Sequence, residues 1–160
     1  MPNDAFSTIT ITGNSADRAR LEELMKGEES DFDFEKILPV PDEFRGIRDP
    51  DGKRVARKIE PSEDEIKRRL KKHGAVGGLD WVLKFWGTKW NAYCVEKTST
   101  DDALVYKIFT AYSCPRPVFQ ELARRFPNLR FTVEGGVEFG DDYSSWKLVY
   151  GCVDEPAPQE

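Results

Sequence analysis

Residues suited to catalysis or metal binding are scarce in this 160-residue sequence. His73 is the only histidine, so composition excludes a multi-histidine metal site. Its place at the end of a Lys- and Arg-rich helix favours a capping or helix-dipole role over a catalytic one. The cysteines at positions 94, 114 and 152 are irregularly spaced and form no CxxC pair, so no disulfide framework is indicated. We expect Cys94 and Cys152 to be small core residues in strands, and a zinc site joining cysteines to His73 is the less favoured alternative.

Carboxylate clusters and paired glycines are the next candidates. One acidic run lies within residues 31–43 and a second at 141–142. Such groups can bind magnesium or act as acid and base, but the first run alternates with Phe32 and Phe34, which favours an amphipathic extended segment. Gly77-Gly78 and Gly135-Gly136 lack the flanking residues of phosphate-binding loops, so we expect turns there. The sequence therefore predicts no catalytic residue, no metal and no cofactor.

Positive charge is concentrated in the middle of the chain. Met1 to Asp51 holds 13 acidic and 6 basic residues (net −7), Gly52 to Asn91 holds 5 and 11 (net +6), and Thr98 to Glu160 holds 10 and 6 (net −4). A basic segment beside tryptophans could pair with phosphates and stack on bases. The candidate binding set comprises Arg54, Arg57, Lys58, Lys67, Arg68, Lys71, Lys72, Trp81 and Lys89. The alternative, which we favour, is that the helix dipole and acidic neighbours account for these charges.

Hydrophobic periodicity assigns secondary structure to most of the chain. Leu79 to Trp86 is apolar almost all round and predicts a buried or contacting helix that Gly87 ends in the left-handed conformation. We expect a strand from Trp90 to Lys97 in the middle of a sheet, with Trp90 buried. Prolines should keep Phe32 to Pro41 extended over the core. The remaining predictions are a strand at 6–13, helices at 16–26, 62–73 and 115–126, a strand at 103–112 that forms a hairpin with the Trp90 strand, strands at 129–134 and 137–139 around a Gly135-Gly136 turn, and a strand at 145–153.

Local signals locate two helix starts. Ser62 and Glu65 match a capping box, and only Ile66 and Leu70 are available to anchor the helix that follows. Ser15 is expected to cap the first helix. The element order predicts an α+β fold, a ferredoxin-like sandwich with helices on one face of an antiparallel sheet of four or five strands. We expect one domain over residues 1–153, an insertion at about 41–78 and a disordered tail at 154–160.

Three motifs in a fixed order carry a family resemblance. DFDFEKILPVPDEF, WGTKWNAYCVE and FTAYSCPRPVFQELARRFPNLRFT occur between Ser30 and Thr132. In this order they resemble the YubB-type ferredoxin-like domain family of plasmid and prophage proteins. The resemblance implies an α+β sandwich encoded by a bacterial mobile element and implies no established activity. Because the chain has no CxxC pair, the cysteine-rich metal module of some relatives does not carry over.

The resemblance and the lack of a catalytic set together predict a non-enzymatic binding protein of a phage or plasmid. The expected partner is a host protein, such as a defence component that handles nucleic acid, because the acidic terminal segments would complement a basic surface. The alternative is a nucleic-acid-binding module that uses the basic segment at 53–72 and the nearby tryptophans. With no apolar run of membrane-spanning length and no signal peptide, we expect the cytoplasm of the bacterial host.

Overall fold

A computed structural model describes residues 3–45, 47–48, 54–55, 61–139 and 141–152, with backbone alone at 47–48 and 54–55. The predicted insertion at 41–78 lies partly outside these residues, and the predicted tail lies wholly outside them. Helices and strands follow in the order β1 (Asp4–Thr12), α1 (Ser15–Met25), α2 (Phe34–Ile37), a 3-10 turn (Asp42–Phe44), β2 (Ile47–Arg48), β3 (Arg54–Val55), α3 (Glu63–His73), α4 (Gly78–Phe85), β4 (Tyr93–Ser99), β5 (Ala103–Ala111), α5 (Arg116–Arg125), β6 (Arg130–Phe139) and β7 (Asp142–Gly151).

The main sheet has five antiparallel strands in the order β4-β5-β1-β6-β7. Its first four strands have the order of a ferredoxin-like sandwich, with β1 central and the two β-α-β crossovers passing over one face. β7 extends the sheet by a hairpin with β6. The prediction of an α+β ferredoxin-like sandwich is confirmed. Among the described residues no helix is both long and apolar enough to cross a membrane.

Strand alternation separates a core face from an open face. In β1, Ala5, Ser7, Ile9 and Ile11 are buried, whereas the residues between them are exposed or half-buried. β5 follows the same pattern, with Leu104, Tyr106 and Ile108 on the core side. The alternation expected from the sequence is therefore present in both central strands. The open face carries the exposed strand residues, among them Phe6, Lys107 and Phe109.

The helices α1, α2, α4 and α5 bury residues against the core, and two of them are fixed by specific contacts. In α5 the predicted apolar stripe is buried at Val118, Phe119 and Leu122. In α1 the cap is Asn14, whose side chain accepts from Asp17 N at 2.8 Å, and not Ser15 as expected, because Ser15 already lies inside the helix. Arg18 of α1 is buried and donates to three backbone carbonyls, those of Gly13, Thr100 and Asp101.

The predicted Gly135-Gly136 turn is wrong, because β6 runs without interruption from Arg130 to Phe139. A Cβ on Gly135 would overlap the carbonyl oxygen of Phe6 in β1. The two glycines therefore allow close approach of adjacent strands, and the chain turns later, between Phe139 and Asp142.

The strand expected to begin at Trp90 begins at Tyr93 and lies at the edge of the sheet. Asn91 keeps the preceding residues out of the ladder, because its side-chain oxygen accepts from Phe34 N and Ala92 N while its nitrogen donates to Asp33. Trp90 is consequently 39% exposed, so its predicted burial is wrong.

The segment from Phe32 to Pro41 covers the core as expected but contains one helical turn, α2. Asp33 caps that turn by accepting from Glu35 N at 3.0 Å, which the proline pattern did not indicate. Phe32, Phe34 and Ile37 are fully buried.

Candidate functional site

The predicted basic residues divide into three groups in the structure. Lys67, Arg68, Lys71 and Lys72 lie on α3. Arg54 lies in the two-residue strand β3, and its side chain, together with Arg57 and Lys58, is outside the described residues. Lys89 follows α4, with its ammonium 5.6 Å from the centre of the Trp90 ring.

The helix α3 begins at the predicted cap, but the contacts that hold it against the rest of the protein are not the predicted apolar ones. Ser62 accepts from Glu65 N at 3.2 Å. No residue of α3 is buried; Ile66 is half-buried, and Leu70 is 47% exposed, so the expected anchoring by Leu70 is wrong. Arg69 instead donates to the carbonyl of Val76 at 3.0 Å, and the His73 ring packs edge-on against Phe44 at 5.0 Å.

Glu43 joins the 3-10 turn to α3 by charge. Its carboxylate binds the Arg68 guanidinium and accepts from His73 Nε2 at 2.8 Å. These hydrogen bonds, the one from Arg68 first, hold the pKa of Glu43 below its usual value. Arg68 and Arg69 also bind Glu65, and the bond from Arg68 is the main cause that lowers the pKa of Glu65 to about 2. Part of the basic segment is therefore paired with carboxylates within the fold.

The remaining α3 cations, Lys67, Lys71 and Lys72, are exposed and form no salt bridge with another described residue. Their side chains are available to an acidic ligand. Three lysines on one helix without an adjacent aromatic face form a weak nucleic-acid site, because sequence-tolerant binding of single strands relies on stacking as well as charge.

The tryptophans do not form the stacking surface that the sequence suggested. Trp81 is only 7% exposed and packs against Phe85 and Trp86, so its role as a binding residue is corrected to a core role. Trp86 is also buried and donates from Nε1 to the carbonyl of Leu38 at 2.8 Å. Trp90 alone of these three offers an exposed ring.

A groove of about 600 Å³ lies between the Phe44-Arg45 segment and α4, and we call it the α4 groove. Val82 and Trp86 are its buried members, and Val40 and Phe44 line one side. Trp90 and the 57% exposed Leu79 line it as well. Leu83, one helical turn beyond Leu79, is 51% exposed. The groove is thus lined by both buried and exposed apolar side chains.

Of the two basic residues that line the α4 groove, one is paired with carboxylates and one is not. Arg45 donates to Glu35 at 2.7 Å and lies 3.1 Å from Asp42, so its guanidinium is neutralised. Glu35 also accepts from Val40 N at 3.1 Å. Lys89 lines the groove and has no carboxylate partner among the described side chains. One cation is therefore available beside an apolar surface.

Sequence reasoning identified Lys89 and predicted a helix that is either buried or a contact surface, but it did not single out Leu79 as a binding residue. The helix Leu79 to Trp86 is apolar all round, so periodicity did not indicate which side would face the core. The structure buries Trp81, Val82 and Trp86 and exposes Leu79 and Leu83. The sequence of α4 is apolar on more sides than one neighbouring element can cover. Such a pattern indicates a contact surface.

The cysteines, which the sequence raised as possible nucleophiles or metal ligands, differ in burial. Cys94 is exposed and Cys152 is half-buried beyond β7, so their predicted core positions are wrong, and Cys114 is the buried cysteine. Cys94 lies at a register shift in β4 with φ 49°, which turns its side chain outward. Burial raises the pKa of the Cys114 thiol to about 11. Within the described part of the chain, no three His, Cys, Asp or Glu side chains are placed to hold a metal ion.

Comparison with known proteins gives no family assignment. No protein-family model matches the chain, and neither the curated proteins nor the solved structures contain a significant match. The YubB-type resemblance accordingly stays a prediction from the sequence motifs.

Proposed function

We propose that this protein is a non-enzymatic binding protein of a bacterial mobile element and that it holds a host protein at the α4 groove. The observation that carries the binding site is the exposure of Leu79 and Trp90, which both line the groove, together with the exposed Leu83 on the same helix. Exposed apolar side chains grouped around a concave surface are typical of protein interaction sites. The mobile-element origin rests on the YubB-type resemblance alone.

The groove favours a particular kind of partner segment. A helix or strand of the partner would place apolar side chains against Leu79 and Val82 and a carboxylate near Lys89. The contact with Trp90 supplies an aromatic residue of the kind that dominates binding energy at protein interfaces. A defence component that handles nucleic acid is one such host protein, and its basic regions would also complement the acidic terminal segments.

The nucleic-acid alternative has less support. It depends on the basic segment, where Arg68 and Arg69 are bound to carboxylates and Trp81 is buried. The lysines of α3 and the unpaired Lys89 are what remains for it among the described side chains. We therefore treat nucleic-acid binding as the second candidate and test it separately.

The test compares partner capture by matched variants in lysate of a bacterial host. Leu79→Ser and Trp90→Ser each remove an exposed apolar side chain from the α4 groove, whereas Phe139→Ser removes one that is 43% exposed at the end of β6. We expect one partner to be captured by the wild type and by Phe139→Ser and to escape both groove variants. Capture that survives both groove substitutions, or that disappears equally with Phe139→Ser, would contradict the proposed site.

A further inference from the structure

The open face of the sheet carries an aromatic band across its strands. The rings of Tyr93 and Phe109 stack with centroids 6.0 Å apart, and Phe109 is directly opposite Phe6 in the β1-β5 register. Phe6 is 41% and Phe109 37% exposed. On the other side of Phe6, the Tyr143 hydroxyl fills the space that a Cβ on Gly136 would need. An apolar stripe therefore crosses the face from β4 toward β7.

The neighbouring row of the same face is a pattern of alternating charge. The strand registers place Glu96, Lys107, Thr8, Glu134 and Lys147 side by side on β4, β5, β1, β6 and β7. Thr8 occupies the middle of this row. The signs are negative, positive, neutral, negative and positive, so the row read backwards has the opposite sign at every charged position.

We propose that this face binds the same face of a second copy of the chain, about a two-fold axis that runs along β1. Rotation about such an axis reverses the order of the strands and leaves each row facing itself. Glu96 then faces Lys147 of the second copy, and Lys107 faces Glu134 of the second copy. A two-fold axis along the row would instead place each charge against its own kind, which is unfavourable.

The aromatic band fits the same arrangement. Phe6 lies on the axis and meets Phe6 of the second copy, while Phe109 meets the surface formed by Gly136 and Tyr143. Aromatic contacts of this kind contribute binding energy beyond their buried area. Packing of two sheets with nearly parallel strands is also a common geometry for β-sandwiches.

The area of the face lies within the range of stable dimers, about 600–1,000 Å² per partner. Five strands about 4.8 Å apart and about nine residues long at roughly 3.3 Å per residue present about 700 Å². Stable interfaces bury about 800 Å² on each partner. A nucleic acid is the less suitable occupant, because the row places as many carboxylates as ammonium groups on this face.

The test uses charge reversal in the whole chain, followed by sedimentation velocity over about two decades of concentration in the micromolar range. In the Lys107→Glu homodimer, the new carboxylate at position 107 faces Glu134 of the other copy on both sides of the axis. In the Glu134→Lys homodimer, the new ammonium group at position 134 faces Lys107 of the other copy in the same way. We expect each variant alone to weaken self-association by about tenfold or more. An equimolar mixture of the two variants restores both pairs, so we expect the mixture to dimerise as the wild type does.

The control is Lys72→Glu, an equal charge change on the exposed face of α3, which should leave the wild-type dimer intact. Circular dichroism of each variant establishes that it is folded. A wild type that stays monomeric over the whole range would overturn the proposal, as would a mixture that dimerises no better than its components. A single-stranded oligonucleotide that binds the wild type but not Phe6→Ser would overturn it in favour of a nucleic-acid face.

Discussion

Trp86 and Trp90 lie four residues apart, and their rings have opposite environments. Trp86 is 4% exposed and packs edge-on against Phe34, whereas Trp90 is 39% exposed at the α4 groove. We expect Trp86→Ala to reduce the free energy of unfolding by about 3–5 kcal/mol, because a large cavity forms in the core. We expect Trp90→Ala to reduce it by less than about 1 kcal/mol. Urea titration of both variants measures the difference, and equal losses would contradict the assigned burial.

Tyr106 supplies a second test at a single atom. Its side chain is fully buried, its ring contacts Phe32 edge-on at 5.2 Å, and burial raises the pKa of its hydroxyl far above the usual value. The hydroxyl has no hydrogen-bond partner among the described residues. A buried hydroxyl without a partner opposes folding, so we expect Tyr106→Phe to leave the free energy of unfolding unchanged or to raise it by about 1 kcal/mol.

Chemical denaturation of Tyr106→Phe beside the wild type measures this change. A loss of more than about 1 kcal/mol would show that the hydroxyl makes a hydrogen bond in solution, for example to a buried water. Tyr106→Leu serves as the comparison, since it removes the hydroxyl together with the ring and should destabilise the protein through poorer packing.

For single residues, the sequence predicted positions that belong to a periodic hydrophobic pattern. It did not predict positions that are fixed by individual hydrogen bonds. Alternation predicted the strands at 6–13 and 103–112, in which the structure buries Ile9, Ile11 and Tyr106. The contacts of Asn91 with Phe34 and Asp33 connect residues 57 and 58 positions apart, so no local pattern announces them. They displaced Trp90 from the sheet and so altered the candidate site.

The helix α3 differs from the other long helices in having no buried residue. It is held by the ion pair of Glu43 with Arg68, by the hydrogen bond between Glu43 and His73, and by the hydrogen bond from Arg69 to Val76. Elements with few buried apolar contacts open locally at a lower free energy than the whole protein. We expect α3 amides to exchange with deuterium much faster than those of α5, whose apolar stripe is buried, and native-state hydrogen exchange measures both.

Substitutions at two helix caps distinguish local opening of one helix from unfolding of the whole protein. Ser62→Ala removes the cap of α3, and Asn14→Ala removes that of α1, which packs on the core through Leu21 and Met25. We expect Asn14→Ala to reduce global stability by about 1 kcal/mol and Ser62→Ala to accelerate exchange in α3 alone. A lower denaturation midpoint for Ser62→Ala, equal to that of Asn14→Ala, would show that α3 unfolds with the core.

The helix α5 carries a pH-dependent contribution to stability. Arg124 first, and then Arg125, lowers the pKa of Glu121 from 4.5 to about 2 by hydrogen bonding. The folded protein therefore binds this proton more weakly than the unfolded chain. The stabilisation is complete above about pH 4.5 and is lost as the pH falls toward 2.

Glu121→Gln removes this contribution. We expect the variant to be less stable than the wild type at neutral pH and to lose less of its stability between pH 4.5 and pH 2. Thermal unfolding at a series of pH values measures both effects, with Glu23→Gln on α1 as the control for loss of one exposed carboxylate. Parallel curves for Glu121→Gln and the wild type would contradict the role of the Glu121 ion pairs.

Elements were predictable where local sequence alone determines them. The capping signal at Ser62, the left-handed Gly87 and the apolar stripe of α5 all agree with the structure. The glycine pair in β6 was misjudged because its cause, the nearby carbonyl of Phe6, lies in a different strand. The candidate site was less predictable for the same reason, since the α4 groove depends on how Phe44 and Trp90 meet α4.

At the scale of the whole molecule the two proposed surfaces lie on different layers. The α4 groove belongs to the helical layer, and the aromatic band belongs to the open face of the sheet. A dimer through the sheet would leave both copies of the α4 groove accessible, so the complex would be bivalent. Bivalence raises the apparent affinity for a partner that presents two sites, without any additional contact at either groove.

The protein has a net charge of −5, and several of its basic residues are already paired with carboxylates. These two facts lead to a prediction about nucleic-acid binding. Removing one phosphate-binding side chain flattens the dependence of log affinity on log salt by about one unit. Arg68 already binds Glu43 and Glu65, and the base-stacking candidate Trp81 is buried, so few groups among the described side chains are available for a phosphate track. We therefore expect the wild type to show no submicromolar, salt-sensitive binding to single-stranded RNA or DNA at physiological ionic strength.

Fluorescence anisotropy across a salt series is the direct measurement, and a variant with four substitutions on α3 is its control. That variant replaces Lys67, Arg68, Lys71 and Lys72 with glutamine. If those side chains only solvate α3 and offset acidic neighbours, wild type and variant give the same flat response. Submicromolar binding by the wild type that weakens with salt and disappears in the variant would instead establish α3 as a phosphate-binding surface, because charge neutralisation on one helix would then account for the whole affinity.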